Sequence, residues 1–228
     1  MDVFIDNWDI IWQPLVRTLE MVLIAGTMAL VVGPVLAAMR VSPIALARSI
    51  GAFYVYTVRN TPLLVIMLIA AFGIPDLDIR PSISLGDSEL LQFDVFFIFA
   101  TASLGFYTAA FVCEAVRSGI NSIPLGQAEA ARSIGLTFSQ TLRFIVLPQA
   151  LRAVIPPIAS ALIAMTKNSS IALGVGVAEA TFRMKTLTNN YATELYAIFI
   201  GFALFYMAIV AVIAGTAAWL ERKLRVVK

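Results

Sequence analysis

Seven polar residues that could do chemistry stand inside or beside long apolar stretches of this 228-residue chain. Guanidinium, ammonium and hydroxyl groups can hold a carboxylate, and a carboxylate can hold an ammonium group. A serine beside a lysine could also serve as a nucleophile with its base. The pattern therefore indicates a binding site for a charged polar solute or a serine–lysine enzyme. The residues are Glu20, Arg59, Thr61, Lys167, Asn168, Ser169 and Ser170.

Several other kinds of site are excluded by residues that the chain lacks. It has no histidine, which is the commonest general base and metal ligand. Its one cysteine, Cys113, cannot form an internal disulfide or a thiolate cluster. No G-x-x-x-x-G-K-[ST] motif occurs, so the chain does not bind ATP by a P-loop of its own. We expect no metal, no cofactor and no catalytic residue.

The composition indicates an all-α integral membrane protein. The chain is 60% hydrophobic and 13% charged, with a mean hydropathy of +0.90. A soluble domain has about 45–50% apolar and about 25% charged residues, so the apolar surplus must face lipid. The net charge is only +2, and no basic stripe for nucleic acid is present. We therefore expect one integral domain, residues 1–228, in a lipid bilayer.

Five stretches are long and apolar enough to predict transmembrane helices. An odd number of spans places the two termini on opposite sides. Most of the 16 lysine and arginine residues fall in segments that are inside if the N-terminus is outside, which predicts N-out and C-in in the cell membrane. The predicted spans are Leu15–Met39, Gly51–Ile74 (interrupted at Arg59–Pro62), Phe93–Cys113, a fourth beginning near Ala153, and Leu195–Leu220.

The tetrad Lys167–Ser170 has the strongest claim to an intramembrane site. From Ala153 to Thr166 a helix rises only roughly 21 Å at 1.5 Å per residue, whereas a hydrocarbon core is about 30 Å thick. A helix starting after Ser169 or Ser170 would offer free backbone N–H groups to a carboxylate. The alternative is a serine cap on an outer loop, with Lys167 reaching to water.

Arg59 and Glu20 each allow two interpretations. Arg59 precedes Thr61 and Pro62, which fit the cap and first position of a new helix. Arg59 is then a clamp for a substrate carboxylate, or else an interfacial arginine that holds carbonyls or a lipid phosphate. Glu20 is a partner for a substrate ammonium group, or else one half of an i, i+3 pair with Arg17.

The loop 114–151 carries the pattern E-A-A-x3-G-x9-I-x-L-P, from Glu129 to Pro148. The segment Gln127–Ile134 is rich in good helix formers, and Gly135 fits a left-handed stop. A second helix is predicted over about Thr137–Ile145. A short helix of this kind either lies on the bilayer or docks into a groove on another protein.

The pattern and its place between the third and fourth spans resemble the coupling loop of ABC importer permeases. That resemblance implies five transmembrane helices of the type I importer fold, with a cytoplasmic helix that inserts into an ABC ATPase dimer. It also implies that ATP hydrolysis belongs to that separate chain. The residues implied in coupling are Gln127, Glu129, Ala130, Ala131, Arg132, Gly135 and Leu136.

Further segments resemble the polar amino-acid branch of these permeases. They are Arg59–Leu63, Arg117–Ile120 and Lys167–Ile171, while Met39–Pro43 and Thr166–Asn168 resemble actinobacterial glutamate-uptake permeases. The resemblance implies a polar amino-acid substrate, most simply glutamate, an extracytoplasmic binding protein, and a second permease that is a paralogue or a second copy. The rival function is a secondary transporter or channel driven by an ion gradient. Five spans without an inverted repeat argue against that rival.

Overall fold

The computed structural model describes residues 2–84 and 92–224, and nearly all of this part is helical. A two-stranded antiparallel hairpin, β1 (Ile83–Ser84) and β2 (Gln92–Phe93), is its extended element. The α-helices are α1 (Asp2–Asp6), α2 (Trp8–Val41), α3 (Ala45–Arg59), α4 (Leu63–Leu68), α5 (Val95–Asn121), α6 (Leu125–Ser133), α7 (Phe138–Thr141), α8 (Leu147–Asn168), α9 (Ala180–Asn190) and α10 (Leu195–Lys223).

Short segments with other helical windings join or extend these helices. Two are π-helical and three are 3₁₀-helical within the described residues. The π segments are Ile69–Gly73 and Leu142–Val146, and the 3₁₀ segments are Pro75–Leu77, Ser169–Val175 and Ala192–Glu194.

Four described helical stretches are long and apolar enough to cross a membrane, and a bent pair brings the total to five. The predicted first and fifth spans lie within α2 and α10, and the third overlaps α5 but begins at Phe93, in β2. The predicted fourth span lies within one helical run from Ser139 to Val175, which begins well before Ala153. The helix expected over Thr137–Ile145 is thus no separate element but the α7 and π-helical start of this run.

The predicted second span is not a straight helix. Its two halves, α3 and Leu63–Leu77, meet at an angle of 103°. Pro62 lacks an N–H group and disfavours helical backbone at the residue before it, which explains the break. The expectation that Thr61 caps a helix starting at Pro62 is wrong. Pro62 is itself the residue before α4, and the Thr61 hydroxyl donates backwards to the Thr57 carbonyl oxygen.

The core is formed where α2 and α5 cross at close range. A Cβ atom at Gly33 would lie 2.5 Å from Cγ1 of Val112, so a side chain there would force the helices apart. Small residues at helix crossings let two backbones approach this closely, and the contact needs no polar side chain. By contrast, few residues of α8 and α10 are fully buried, as expected where lipid or another subunit covers them.

Candidate functional site

Two interruptions that lie far apart in the sequence meet in the fold. The 3₁₀ segment Ser169–Val175 packs against α4, which begins just after Pro62. A Cβ atom at Gly174 would lie 2.7 Å from Cδ1 of Leu64, and Leu63 and Ala172 share one buried core cluster. Interrupted helices that meet inside a helical bundle are the typical setting of a transporter site.

The tetrad Lys167–Ser170 lies at this meeting point, level with the middle of α2. The methyl carbon of Met165 would lie 3.3 Å from a Cβ atom at Gly26, near the middle of that helix. Lys167 is exposed, Asn168 and Ser170 are half-buried, and Ser169 is fully buried.

The helix start expected after Ser169 or Ser170 is wrong, because the backbone stays helical from α8 through Val175. The N–H group of Ser169 is bonded within this helix, to the Met165 carbonyl oxygen. The Ser169 hydroxyl donates to the Thr166 carbonyl oxygen at 2.7 Å, and the Ser170 hydroxyl donates to that of Lys167 at 2.7 Å. The helix tightens from α to 3₁₀ winding at this point, which is a common mark of a functional hinge.

Arg59 takes part in a different cluster, at the end of the bundle nearer α6. Its Nη1 atom lies 3.9 Å from Oε1 of Glu114, and its guanidinium lies over the Phe111 ring. Arg40 pairs with the same carboxylate oxygen, and Arg117 lies 3.4 Å from it. Glu114 was not among the predicted site residues. The E-x-x-R spacing with Arg117, at the end of the apolar third span, could have indicated it.

Glu20 forms an i, i+3 ion pair with Arg17, which is the second of the two interpretations given above. Its Oε2 atom lies 3.1 Å from Nη1 of Arg17, one helical turn earlier. Arg17 also donates to the Gln92 carbonyl oxygen at 2.6 Å and lies over the Phe93 and Phe97 rings. These contacts tie α2 to β2 and to the start of α5, at the end of the bundle opposite the Glu114 cluster.

Glu179 is a buried acid that the sequence analysis did not single out. It caps α9, accepting hydrogen bonds from the N–H groups of Thr181 and Phe182 at 2.8 and 3.0 Å. The Tyr206 hydroxyl donates to it at 3.0 Å, which ties α9 to α10. Burial raises the pKa of Glu179 above its ordinary value. An acidic residue within an otherwise apolar run, directly before a helix, is the pattern that could have shown it.

The predicted short helix of the loop 114–151 is present as α6. It begins and ends within two residues of the expected bounds, and Gly135 follows it with φ of +91°. The N–H of Leu136 donates to the Ala131 carbonyl oxygen, and that of Gly135 donates to Arg132, which together form a Schellman stop. Glu129, Ala130 and Arg132 are exposed, whereas Gln127 is half-buried and Ala131 is buried.

Known families and solved structures include relatives of this chain. Residues 8–226 match the model of the family described as binding-protein-dependent transport system inner membrane component. The chain belongs to this family. The predicted all-α fold and the multi-pass membrane location are therefore confirmed, and the chain is a transport subunit rather than an enzyme. Membership implies an ATPase, a substrate-binding protein and a second permease subunit as partners.

The similarity between this chain and its relatives extends over most of its length. The chain is 43% identical over 190 residues to the glutamate transport system permease protein GluC of Corynebacterium efficiens, which covers 83% of each chain. It is 34% identical over 224 residues to the probable glutamine ABC transporter permease protein GlnM of Bacillus subtilis, covering 98% of this chain and 97% of the relative. A crystal structure of an amino acid ABC transporter with histidines has the same fold, with a TM-score of 0.79, 24% identity and 96% of each chain covered.

Proposed function

We propose that this chain is the permease subunit of an ATP-driven importer that takes up glutamate. The observation that carries the proposal is the 43% identity to the glutamate permease of C. efficiens over 83% of each chain. A second corynebacterial glutamate permease, from C. glutamicum, is equally similar.

The exposed ammonium group of Lys167 supports an anionic substrate. A lysine at the centre of a bilayer costs about 2.5–3.5 kcal/mol on insertion scales, so its exposed side is expected to face a polar passage rather than lipid. The second permease subunit would form the other wall of that passage. Lys167 and Asn168, with the hydroxyls of Thr61 and Ser170, are the groups we assign to the substrate.

The remaining predicted residues take supporting roles in this proposal. The hydroxyl of Ser169 is buried against its own helix, so it holds the tetrad in shape. Glu20 neutralises Arg17, and Arg59 is held by Glu114, so neither contacts the substrate in this arrangement.

We further propose that the chain, residues 1–228, is a single domain. Within it, the loop 114–151 carries α6, and α6 docks on the ATPase. Its exposed Glu129, Ala130 and Arg132 form the contact face, and the Gly135 stop fixes the angle at which the helix projects. Gln127, Ala131 and Leu136 hold it on the bundle. The Glu114 cluster, with its three arginines, lies at the end of the bundle nearer α6. It supports an N-out, C-in orientation, because basic residues favour the cytoplasmic side.

Uptake in proteoliposomes tests this function directly. The chain is co-expressed with its ATPase and second permease, reconstituted, and supplied with the binding protein and labelled glutamate, glutamine or arginine. We expect uptake of glutamate that requires ATP inside the vesicles and is not abolished by ionophores. ATP-dependent uptake of glutamine or arginine alone would reject the substrate assignment, and uptake driven by an ion gradient without ATP would reject the importer mechanism.

A further inference from the structure

The Glu114 cluster holds more positive charge than it neutralises. Three guanidinium groups, those of Arg40, Arg59 and Arg117, converge on one carboxylate, which leaves a surplus of two charges (three minus one). Within the described residues, each ion pair that these arginines make goes to Glu114. The Nε atom of Arg117 is buried and has no hydrogen-bond partner there. Surplus guanidinium charge beside a low-dielectric core favours the binding of an anion.

The cluster lies at the depth of a membrane–water boundary. Glu114 is the twentieth residue of α5, which begins after Asp94, and a helix of that length rises about 30 Å. A hydrocarbon core is also about 30 Å thick, so if Asp94 lies at one boundary, Glu114 lies at the other. Charged groups at that depth are in reach of lipid headgroups.

A cavity of about 290 Å³ opens beside the cluster. Arg40, Arg59 and Asn60 provide its polar wall, and Val55 and Phe111 provide apolar wall. Its remaining lining residues are Ala52, Tyr56 and Glu114. Guanidinium groups bind phosphate through paired N–H donors, so this wall matches a phosphate with an apolar group attached.

The surface next to the cavity is suited to acyl chains. Helix α3, which contributes half of the lining residues, exposes Phe53 and Tyr56 by 72% and 73%, together with Leu46 and Ile50. Tyrosine is enriched where a membrane protein meets the headgroup region. A lipid whose phosphate enters the cavity could therefore lay its chains along α3.

We propose that this cavity binds the phosphate group of an anionic phospholipid from the leaflet on the α6 side. The cavity joins α2, α3 and α5, so the lipid would hold α3 against the bundle next to the 103° break. This role is independent of which solute is transported. It also accounts for the surplus charge of the cavity wall, where two arginines, Arg40 and Arg59, share the single carboxylate of Glu114.

Native mass spectrometry of the full-length chain in neutral detergent tests the proposal. The chain is stripped of lipid and titrated with phosphatidylglycerol or phosphatidylcholine of equal chain length. We expect the first phosphatidylglycerol to bind at about tenfold lower concentration than phosphatidylcholine, and Arg59→Gln to remove most of this preference. Arg143→Gln is the matched control, because Arg143 is an exposed arginine of the α7–α8 region outside the cavity.

Further variants and competitors separate the sources of the anion. Asn60→Asp places a carboxylate in the cavity lining without removing an ion pair, so it should reduce the preference for phosphatidylglycerol. This variant keeps the test valid even if Arg59→Gln folds poorly. Equal binding of the two lipids, or equal effects of Arg59→Gln and Arg143→Gln, overturns the proposal. Displacement of phosphatidylglycerol by inorganic phosphate at similar concentration would instead assign the cavity to free phosphate, and displacement by glutamate would assign it to the transport path.

Discussion

The Nε2 atom of Gln149 donates a hydrogen bond of 2.5 Å to Oε1 of Gln127. The same nitrogen donates to the Ile145 carbonyl oxygen at 2.8 Å, so the two hydrogen bonds hold the amide group of Gln149 in place. Gln127 lies on α6, whereas Gln149 lies in the first turns of α8, the helix that ends beside Lys167. If α6 docks on the ATPase as proposed, this hydrogen bond connects it to the helix that carries the proposed substrate residues.

Removing this hydrogen bond should weaken the coupling of ATP hydrolysis to transport. A neutral hydrogen bond contributes about 1 kcal/mol, so Gln149→Ala should lower the uptake per ATP hydrolysed by roughly fivefold. Parallel measurement of uptake and ATPase activity in the same proteoliposomes gives this ratio. Because both side chains serve one contact, Gln127→Ala in the same chain should add little further loss. Additive losses in the double variant would show that the two residues act separately.

Gly135→Val should uncouple the ATPase while the chain still inserts into the membrane. The left-handed φ of +91° is unfavourable for a side chain by about 1–2 kcal/mol, and more for a β-branched one. Apart from its two chain neighbours, no atom lies within 4 Å of a Cβ atom at this position, so we expect backbone strain rather than a clash. Asparagine tolerates this conformation, so Gly135→Asn should retain most of the uptake. Equal uptake by the valine and asparagine variants would contradict the role of this stop.

Gly119→Ala should destabilise the contact between α5 and α8. A Cβ atom there would lie 2.2 Å from Cγ1 of Val154 and 3.0 Å from its backbone nitrogen. Overpacking of this kind costs about 1–3 kcal/mol, which a thermal unfolding experiment in detergent would show as a lower Tm. Adding Val154→Ala to the Gly119→Ala variant should restore part of the lost Tm. Gly215→Ala is the control, since its Cβ meets nothing within 4 Å, and a drop equal to that of Gly119→Ala would rule out the packing explanation.

Glu179→Gln should flatten the dependence of stability on pH. Burial raises the pKa of Glu179 above 4.5, so the folded chain binds the proton more tightly than the unfolded chain. The stabilising contribution of the protonated acid is complete below about pH 4.5 and is lost as the pH rises through the raised pKa. The glutamine variant mimics the protonated form and should lack this decline. Unfolding midpoints of both proteins, measured from below pH 4.5 upwards, check this prediction. Parallel curves for the two proteins would refute the raised pKa of Glu179.

Asn168→Asp should lower glutamate uptake by at least about tenfold, or roughly 1.4 kcal/mol. The new carboxylate would repel an anionic substrate and compete with it for Lys167, which is the adjacent residue. Co-purification with the ATPase should be unaffected, since Asn168 lies far from α6. Asn189→Asp makes the same change at an exposed position of α9 and serves as the control. Unchanged uptake in Asn168→Asp would mean that the binding protein alone sets specificity.

The sequence by itself determined the class of protein and the position of the short helix α6. The apolar excess requires lipid contact, whatever the packing, so the membrane assignment followed from composition. The end of α6 at Gly135 was also predictable, because a good helix former followed by glycine is a local pattern. The polar tetrad at Lys167 was predicted from a helical rise counted from Ala153, although the helix begins earlier, at Leu147.

Only the tertiary structure decided which charged groups of different helices meet. Arg59 has no carboxylate near it in the sequence, and its partner Glu114 comes from a helix beyond the β1–β2 hairpin. Long arginine side chains reach several neighbours, so the packing of α2, α3 and α5 selects the pair. The continuation of α8 into a 3₁₀ segment was likewise hidden, because serine hydroxyls can satisfy the carbonyls of their own helix as well as cap a new one. Helix crossings, and not local periodicity, fix these choices.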